Sequence, residues 1–532
     1  MRHTADVGKA ELLIGGLLVA IAGLGALARR LSIPYPIVLV IGGALFGFIP
    51  GLPTVTLDPN VVLVVFLPVL VYSAAFFANL GDIRQNLRGI TMVSVGLVLV
   101  TMTTVAIVAH ALVGLPWAAA FALGAVISPT DPLAAGLIMR SQNVPRRLVS
   151  AAEGEGLFND ATALVALRVA VTAVVAGSFS LGHATISLII DAAAGVAIGL
   201  AVGWVIAEIR KRTPDPQVSI TISLVSGYAA FVPASAVGAS GVLAAVTCGI
   251  YMGIRGPSII PARVRLQGFF VWDIVDFIIN SALFVLVGLQ LRSIVESLSG
   301  YSMRTLLGWG LAIAGVTVLT RIVWFFTVPY LVRALDRRPS QRERRIPARN
   351  RFLLGWIGMR GAVSLAAALS LPLTTDSGAP FPDRELIQFL TFAVIFVTLV
   401  VQGLSLPTLI RRLHISDDGA AETEELRARL GATKAALAQI EELAHEDWTR
   451  DDTMERMRAA YEYRKRRLAA RAGKIEDDGY EDRSMQYQQA VQIVLGAQRD
   501  ALVELRREGT ISNETMNRII QELDLEESRL EI

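Results

Sequence analysis

Charge is scarce in this chain. Only 18% of its 532 residues are Asp, Glu, Lys or Arg, against about 25% in soluble domains. Hydrophobic residues make up 53%, and the mean hydropathy is +0.54. That balance excludes an ordinary water-soluble domain and points to a polytopic membrane protein. A net charge of +3 leaves no electrostatic footprint for a nucleic acid. Cysteine is limited to Cys248, so no internal disulfide can form, and this thiol in an apolar run packs as a small hydrophobe. His3, His110, His183, His414 and His445 are scattered without ligand spacing, which argues against zinc chemistry. No cofactor is implied. The first apolar run, Leu12 to Leu27, lacks a small-residue cleavage site of good form and reads as a retained helix rather than a signal peptide.

What the chain has in quantity is long apolar runs. Hydropathy divides residues before His414 into about thirteen spanning segments: 9–28, 35–51, 61–79, 90–113, 115–139, 149–177, 186–207, 218–235, 241–257, 266–291, 305–333, 352–373 and 385–410. Basic residues fall after every second segment: Arg29 and Arg30, Arg84 and Arg88, Arg140 with Arg146 and Arg147, Arg210 to Arg212, Arg255 with Arg263 and Arg265, the run Arg333 to Arg351, and Arg411 with Arg412. Intervening loops carry little beyond Arg292 and Arg304. This alternation is the positive-inside pattern. It predicts an odd number of spans, an N-terminus outside and a cytoplasmic tail. After residue 412 the composition turns acidic and helical. Leu426, Leu430, Leu437 and Ile440, then Val491, Leu495, Leu502 and Leu505, recur at helical spacing, and Asn513 before Glu514 reads as a helix cap. The expected organisation is a membrane domain over 1–412 and a cytoplasmic helical tail over 413–532, whose charge runs read as a solvated face, with a regulatory or dimerising role as the alternative.

Two stretches inside the apolar segments carry chemistry. Ser128-Pro129-Thr130-Asp131-Pro132 places two prolines three apart within the fifth segment. Each removes an amide donor and clashes with the preceding turn, so the helix should unwind there. Unwound backbone at membrane depth persists only in protein or along a cavity, where its carbonyls can meet a cation. Thr130 and Asp131 lie in that break; the plainer alternative is a packing kink. In the sixth segment stands Glu153-Gly154-Glu155-Gly156-Leu157-Phe158-Asn159-Asp160. Asp160 falls about 16 Å into its helix, near the bilayer middle. An ionisable group at that depth costs roughly 2.5–3.5 kcal/mol and marks an ion or proton site by default. Asp160, Asn159, Asp131 and Thr130 together offer the carboxylate, amide and hydroxyl oxygens that a small alkali cation prefers. Arg321 in the eleventh segment and Arg360 in the twelfth each need a carboxylate or helix-end carbonyls as partner. Glycines around Arg360 suggest a second helix break. Arg168 is equally compatible with pairing and with reaching the surface. Asp191, Asp273 and Asp276 are read as interfacial or structural, near segment ends.

At these residues the chain resembles the monovalent cation–proton antiporters, in the electroneutral sodium/proton exchanger branch of bacterial type. The similarity covers about residues 10 to 412. It rests on Ser128 to Pro132, on Glu155 to Asp160, and on Trp356-Ile357-Gly358-Met359-Arg360-Gly361-Ala362-Val363-Ser364-Leu365, in that order and in the right spans. The resemblance implies an all-α membrane protein with thirteen helices, inverted repeats and two broken, crossing helices. It implies a homodimer in the cell (inner) membrane. Carried over, Asp160 is the group that binds Na+ or H+, with Asp131 beside the ion. Asn159 in place of a second Asp marks the electroneutral branch, and Glu155 forms a structural ion pair with Arg321. Two departures stand out. Gly156 replaces a serine found in many relatives, and Ser73, in Leu67-Pro68-Val69-Leu70-Val71-Tyr72-Ser73, stands where many have a glutamate and offers only a weak oxygen ligand. The implied activity is secondary transport, not enzymatic: Na+ (also Li+ or K+) exchanged for H+. A K+/H+ antiporter using the same residues is the nearest alternative. An intramembrane aspartyl hydrolase with Asp131 and Asp160 as a dyad lacks the Gly-x-Gly-Asp setting, and a channel lacks a filter-like carbonyl loop.

Overall fold

The computed structural model describes residues 2–31, 33–50, 62–176, 181–335, 346–476 and 478–528. Helix is the regular element throughout, and no strand forms among the described residues. Two compact units emerge, Met1–Asp417 and Asp418–Ile532.

In the first unit the helices run α1 (Arg2–Leu31), α2 (Tyr35–Gly47), α3 (Leu67–Phe76), α4 (Leu80–Thr91), α5 (Val98–Val108), α6 (Trp117–Ile127), α7 (Pro132–Ser141), α8 (Arg146–Ala176), α9 (Leu181–Lys211), α10 (Pro216–Ala236), α11 (Gly241–Ile259), α12 (Ala262–Ser297), α13 (Met303–Leu335), α14 (Ala348–Trp356), α15 (Ala362–Leu369), α16 (Arg384–Val397) and α17 (Gly403–Arg412). Among the described residues nine helical stretches are long and apolar enough to cross a bilayer, and Tyr35–Gly47 and Val64–Phe76 are shorter apolar helices. Outside the two breaks, at 128–131 and 357–361, and a few residues at segment ends, each expected segment falls on helix in its described part. Much of the basic run after the eleventh segment, 336–345, lies outside the described residues.

Local chemistry explains the first break. α6 stops at Ile127, because Pro129 and Pro132 cannot donate to the preceding turn. The chain then extends, and Asp131 caps α7 by accepting from the Leu133 amide at 2.8 Å. Asp followed by Pro is a strong helix start: the side-chain oxygen satisfies a free amide, and proline at the first position sacrifices none. The second break spans 357–361, between α14 and α15. The breaks are joined directly, since the Asp131 amide donates to the Met359 carbonyl at 2.8 Å. Around that joint the half-helices exchange neighbours. Ile138 and Met139 of α7 share an apolar cluster with Leu353 and Leu354 of α14. Leu123 and Ile127 of α6 share another with Ala367 and Ala368 of α15. Two broken helices that pack first half against second half cross at their breaks.

The second unit comprises α18 (Ala420–Leu443), α19 (Asp451–Arg471), α20 (Tyr480–Arg507) and α21 (Asn513–Ser528). Leu426 and Leu430 of α18 bury against Leu468 of α19, and Arg458 bonds Glu441 at 2.7 Å between them. Arg499 of α20 holds Asp524 of α21 at 2.6 Å. The last helix starts one residue from the expected place. Ser512, not Asn513, supplies the capping oxygen, accepting from the Thr515 amide at 3.1 Å.

Candidate functional site

Unwinding a helix exposes carbonyls at the C-terminal end of its first half, where the helix dipole is negative. Both broken helices meet that need with a buried arginine from elsewhere. Arg360, 1% exposed, donates from Nε to the Ile127 carbonyl at the end of α6, at 3.0 Å. It also bonds the Gly358 carbonyl, and its own amide donates to Thr398 Oγ1 at 3.1 Å. Arg321, equally buried, donates from Nε to the Leu354 carbonyl near the end of α14, at 3.0 Å.

The rest of the Arg321 guanidinium grips Glu155 in a two-pronged pair: Nη1 bonds Oε1, and Nη2 reaches Oε2 at 2.8 Å. Paired forks of this kind are the strongest way to neutralise a buried carboxylate. Glu155 Oε1 also accepts the Thr130 hydroxyl proton at 3.0 Å. Thr130 Oγ1 in turn accepts from Asn159 Nδ2 at 2.8 Å. Glu155 and Asn159 reach the same threonine because they lie one turn apart on α8. The chain Asn159–Thr130–Glu155–Arg321 therefore ties α8 and the first break to α13. It also commits the Thr130 hydroxyl, which leaves the Asn159 oxygen, buried and without a partner, as the free acceptor of that group.

Asp160, the next residue along α8, has a different environment. Its carboxylate makes no hydrogen bond or ion pair with any described residue. It is half-buried on the wall of a cavity of about 410 Å³, together with Asp131. Asp131 lies within electrostatic range of Asp160. One oxygen of Asp131 caps α7, and the other fills the space above Gly361, where a Cβ would lie 1.7 Å from Oδ2. Any side chain at 361 would evict that carboxylate. Gly156 answers a similar demand, because a Cβ there would meet the Pro132 ring at 2.4 Å. A serine at 156 would have no room in this packing.

The cavity corrects one reading of the sequence. Asp276 and Asp273 do not sit at a segment end. α12 starts at Ala262 and runs through Arg263 and Arg265, so its charged first turns hide the true start of the helix from hydropathy. Both aspartates consequently line the same cavity as Asp131 and Asp160. Ser73 donates to Asp276 Oδ1 at 2.8 Å, so its hydroxyl proton is committed to that carboxylate. Asn280, one turn on, also lines the space. At the mouth, Glu153 pairs with Arg140 at 2.5 Å. Arg168 lies 3.6 Å from Asp191, half-exposed and away from this wall.

This arrangement separates polar groups that are locked together from the Asp160 carboxylate, left open to the cavity on the same helix. It can hold a proton or a small cation, and among the described residues lining it there is no nucleophile, base and orienting-group series of the kind hydrolysis requires.

The family model "Sodium/hydrogen exchanger, transmembrane" matches residues 16–412. The chain is 37% identical over 531 residues, 97% of each chain, to an uncharacterised Na+/H+ exchanger of Mycobacterium bovis. It is 28% identical to the Na+/H+ antiporter NhaG of Bacillus atrophaeus, across 98% of each chain. A sodium, potassium, lithium and rubidium/H+ antiporter of Bacillus pumilus is 28% identical over 81% of this chain and 66% of its own. Among solved structures, the sodium proton antiporter MjNhaP1 of Methanocaldococcus jannaschii shares the fold with a TM-score of 0.61 at 18% identity, covering 76% of this chain and 99% of that one.

Proposed function

The chain belongs to the sodium/hydrogen exchanger family of membrane transporters, which are not enzymes, and from that premise we propose that it exchanges Na+ for H+, one for one, at Asp160. The supporting observation is the contrast between Glu155, Asn159 and Asp160 along α8. The Glu155 carboxylate and the Asn159 amide nitrogen are taken up by internal partners, while the Asp160 carboxylate faces the cavity without one. Proton and cation then compete for a single negative group. With either bound, the Asp160 charge is compensated and movement between two accessible states is cheaper; empty, the site carries one more uncompensated charge, which opposes movement. Asp131, fixed by the break, supplies a second anionic wall for the ion. Thr130 and Asn159 set the position of that wall, and Glu155 with Arg321 acts as a structural pair.

The cavity opens beside Arg140, on the side of the basic loops. Under the positive-inside rule that side is the cytoplasm, and the conformation is inward-facing. The same rule puts the N-terminus outside and the helical tail inside the cell membrane. A homodimer is part of the same reading.

Exchange of K+ at the same residues is the second reading. It is favoured by the loss of a hydroxyl at Gly156 and by the commitment of Ser73 to Asp276, both of which thin the ligand set that a small ion needs. Proton flux in proteoliposomes driven by Na+, Li+ or K+, with and without an imposed voltage, tests the reading. Na+-driven flux indifferent to voltage is expected. Flux driven by K+ alone selects the alternative, and no cation-coupled flux rejects both.

A further inference from the structure

A second cavity, of about 230 Å³, lies among α3, α10, α11 and α12 and shares only Phe77 with the lining of the transport cavity. Its unusual feature is Arg210, the penultimate residue of α9. This guanidinium is 4% exposed, yet its partners are two neutral hydroxyls: Nε donates to Ser219 Oγ at 3.2 Å and Nη1 to Ser223 Oγ at 3.4 Å. Ser223 Oγ also accepts from Trp272 Nε1 at 3.2 Å. Among the described residues no carboxylate pairs with Arg210. Its electrostatic neighbour is the buried phenol of Tyr72, a neutral group. Arg321 and Arg360, each 1% exposed, have a carboxylate or helix-end carbonyls. Arg210 has neither, and a buried cation without a counter-charge is unfavourable.

The cavity beside it is equipped for the missing charge. Arg265 lines it, held on the rim by bonds from Nη1 to the Pro257 and Ile260 carbonyls at 3.0 and 3.1 Å. Those bonds leave the other guanidinium nitrogens available. The remaining wall is apolar and aromatic, including Phe76, Phe77 and Phe269. Leu266 and Phe270, each 68% exposed, continue the apolar surface along α12. The volume is below the roughly 300–1,000 Å³ of sites for drug-sized ligands, so it suits a small anionic head rather than a whole metabolite.

We infer that the Arg210–Arg265 cavity binds a phosphate group, supplied by the head of an anionic phospholipid whose acyl chains lie against Leu266, Phe269 and Phe270. Guanidinium forks match phosphate oxygens bidentately, and basic pockets between membrane helices hold lipid heads by this chemistry. The inference is independent of the antiport reading, and its test involves no transport.

The test uses the full chain, delipidated in neutral detergent, with thermal unfolding followed against rising phosphatidylglycerol, phosphatidylcholine or inorganic phosphate. Phosphatidylglycerol should raise the midpoint saturably and phosphatidylcholine should do so weakly. Arg210→Gln and Arg265→Gln should each weaken the half-saturating concentration by roughly tenfold or more, the loss of one charge-assisted bond. Arg265 is on the rim, so its variant remains informative if the Arg210 variant folds poorly. An equal shift from inorganic phosphate, with the same sensitivity to Arg265→Gln, keeps the phosphate site and rejects the lipid as its source. No saturable shift from either, or a phosphatidylglycerol shift unchanged in Arg265→Gln, overturns the inference.

Discussion

The Asp131 amide donates to the Met359 carbonyl at 2.8 Å, tying the break in one helix to the break in the other. Because Asp131 Oδ2 also occupies the space over Gly361, the position of this carboxylate is set by both broken helices at once. A shift of either break moves the wall of the ion cavity. That is the mechanical link the proposed exchange needs between ion occupancy and helix position.

Gly361→Ala should therefore disable transport more than folding. The added methyl would displace the Asp131 carboxylate, and misplacing a group by about 1 Å at a reacting centre commonly costs on the order of a hundredfold. Cation-driven proton flux normalised to reconstituted protein is the measure. Near-wild-type flux would mean that the seat of Asp131 above residue 361 has no functional weight.

Glu155→Ala or Arg321→Ala should destabilise the membrane unit by about 3–5 kcal/mol, the usual cost of orphaning one member of a buried pair. Glu155→Met combined with Arg321→Met should recover part of that loss, since no charge is left unpaired. Thermal unfolding of the purified variants reads both. Single variants as stable as the parent would contradict a structural role for the pair.

These two predictions rest on features of unequal visibility in the sequence. The first break was legible because proline acts locally: Pro129 and Pro132 remove donors whatever surrounds them. Glu155 and Asn159 were legible as one helix face from their spacing, and Arg321 as a residue in need of a partner from its depth. The need for glycine at 361 was not, because it arises from a carboxylate brought in by another helix. Nor was the commitment of the Thr130 hydroxyl, since sequence offers an oxygen without saying which neighbour claims it. Asp276 was misplaced for a different reason: hydropathy marks where apolar residues begin, whereas α12 begins earlier, in charged turns.

Asp276 gives the third prediction. Asp276→Asn should leave exchange intact but weaken the apparent affinity for Na+ by up to roughly tenfold, as expected for removing one charge from the wall of a partly hydrated cavity. Ser73→Ala should act in the same direction and less, because it removes only the hydrogen bond to Asp276. The concentration of Na+ giving half-maximal flux tests this. An unaltered value in both variants would assign the pair to packing alone.

Competition for one carboxylate also fixes a pH dependence. A protonated Asp160 cannot hold Na+, so lowering the pH should raise the half-maximal Na+ concentration, approaching about tenfold per pH unit on the acid side. On the alkaline side the value should level off. A half-maximal concentration independent of pH would indicate separate sites for the two ions.

The central claim is that the Asp160 carboxylate is the exchanging group, and Asp160→Asn tests it most directly. Sodium-driven proton flux should fall to the level of empty liposomes, while the unfolding midpoint stays at or above that of the parent, because Asp160 has no internal partner to lose. Undiminished flux from the folded variant would contradict the account.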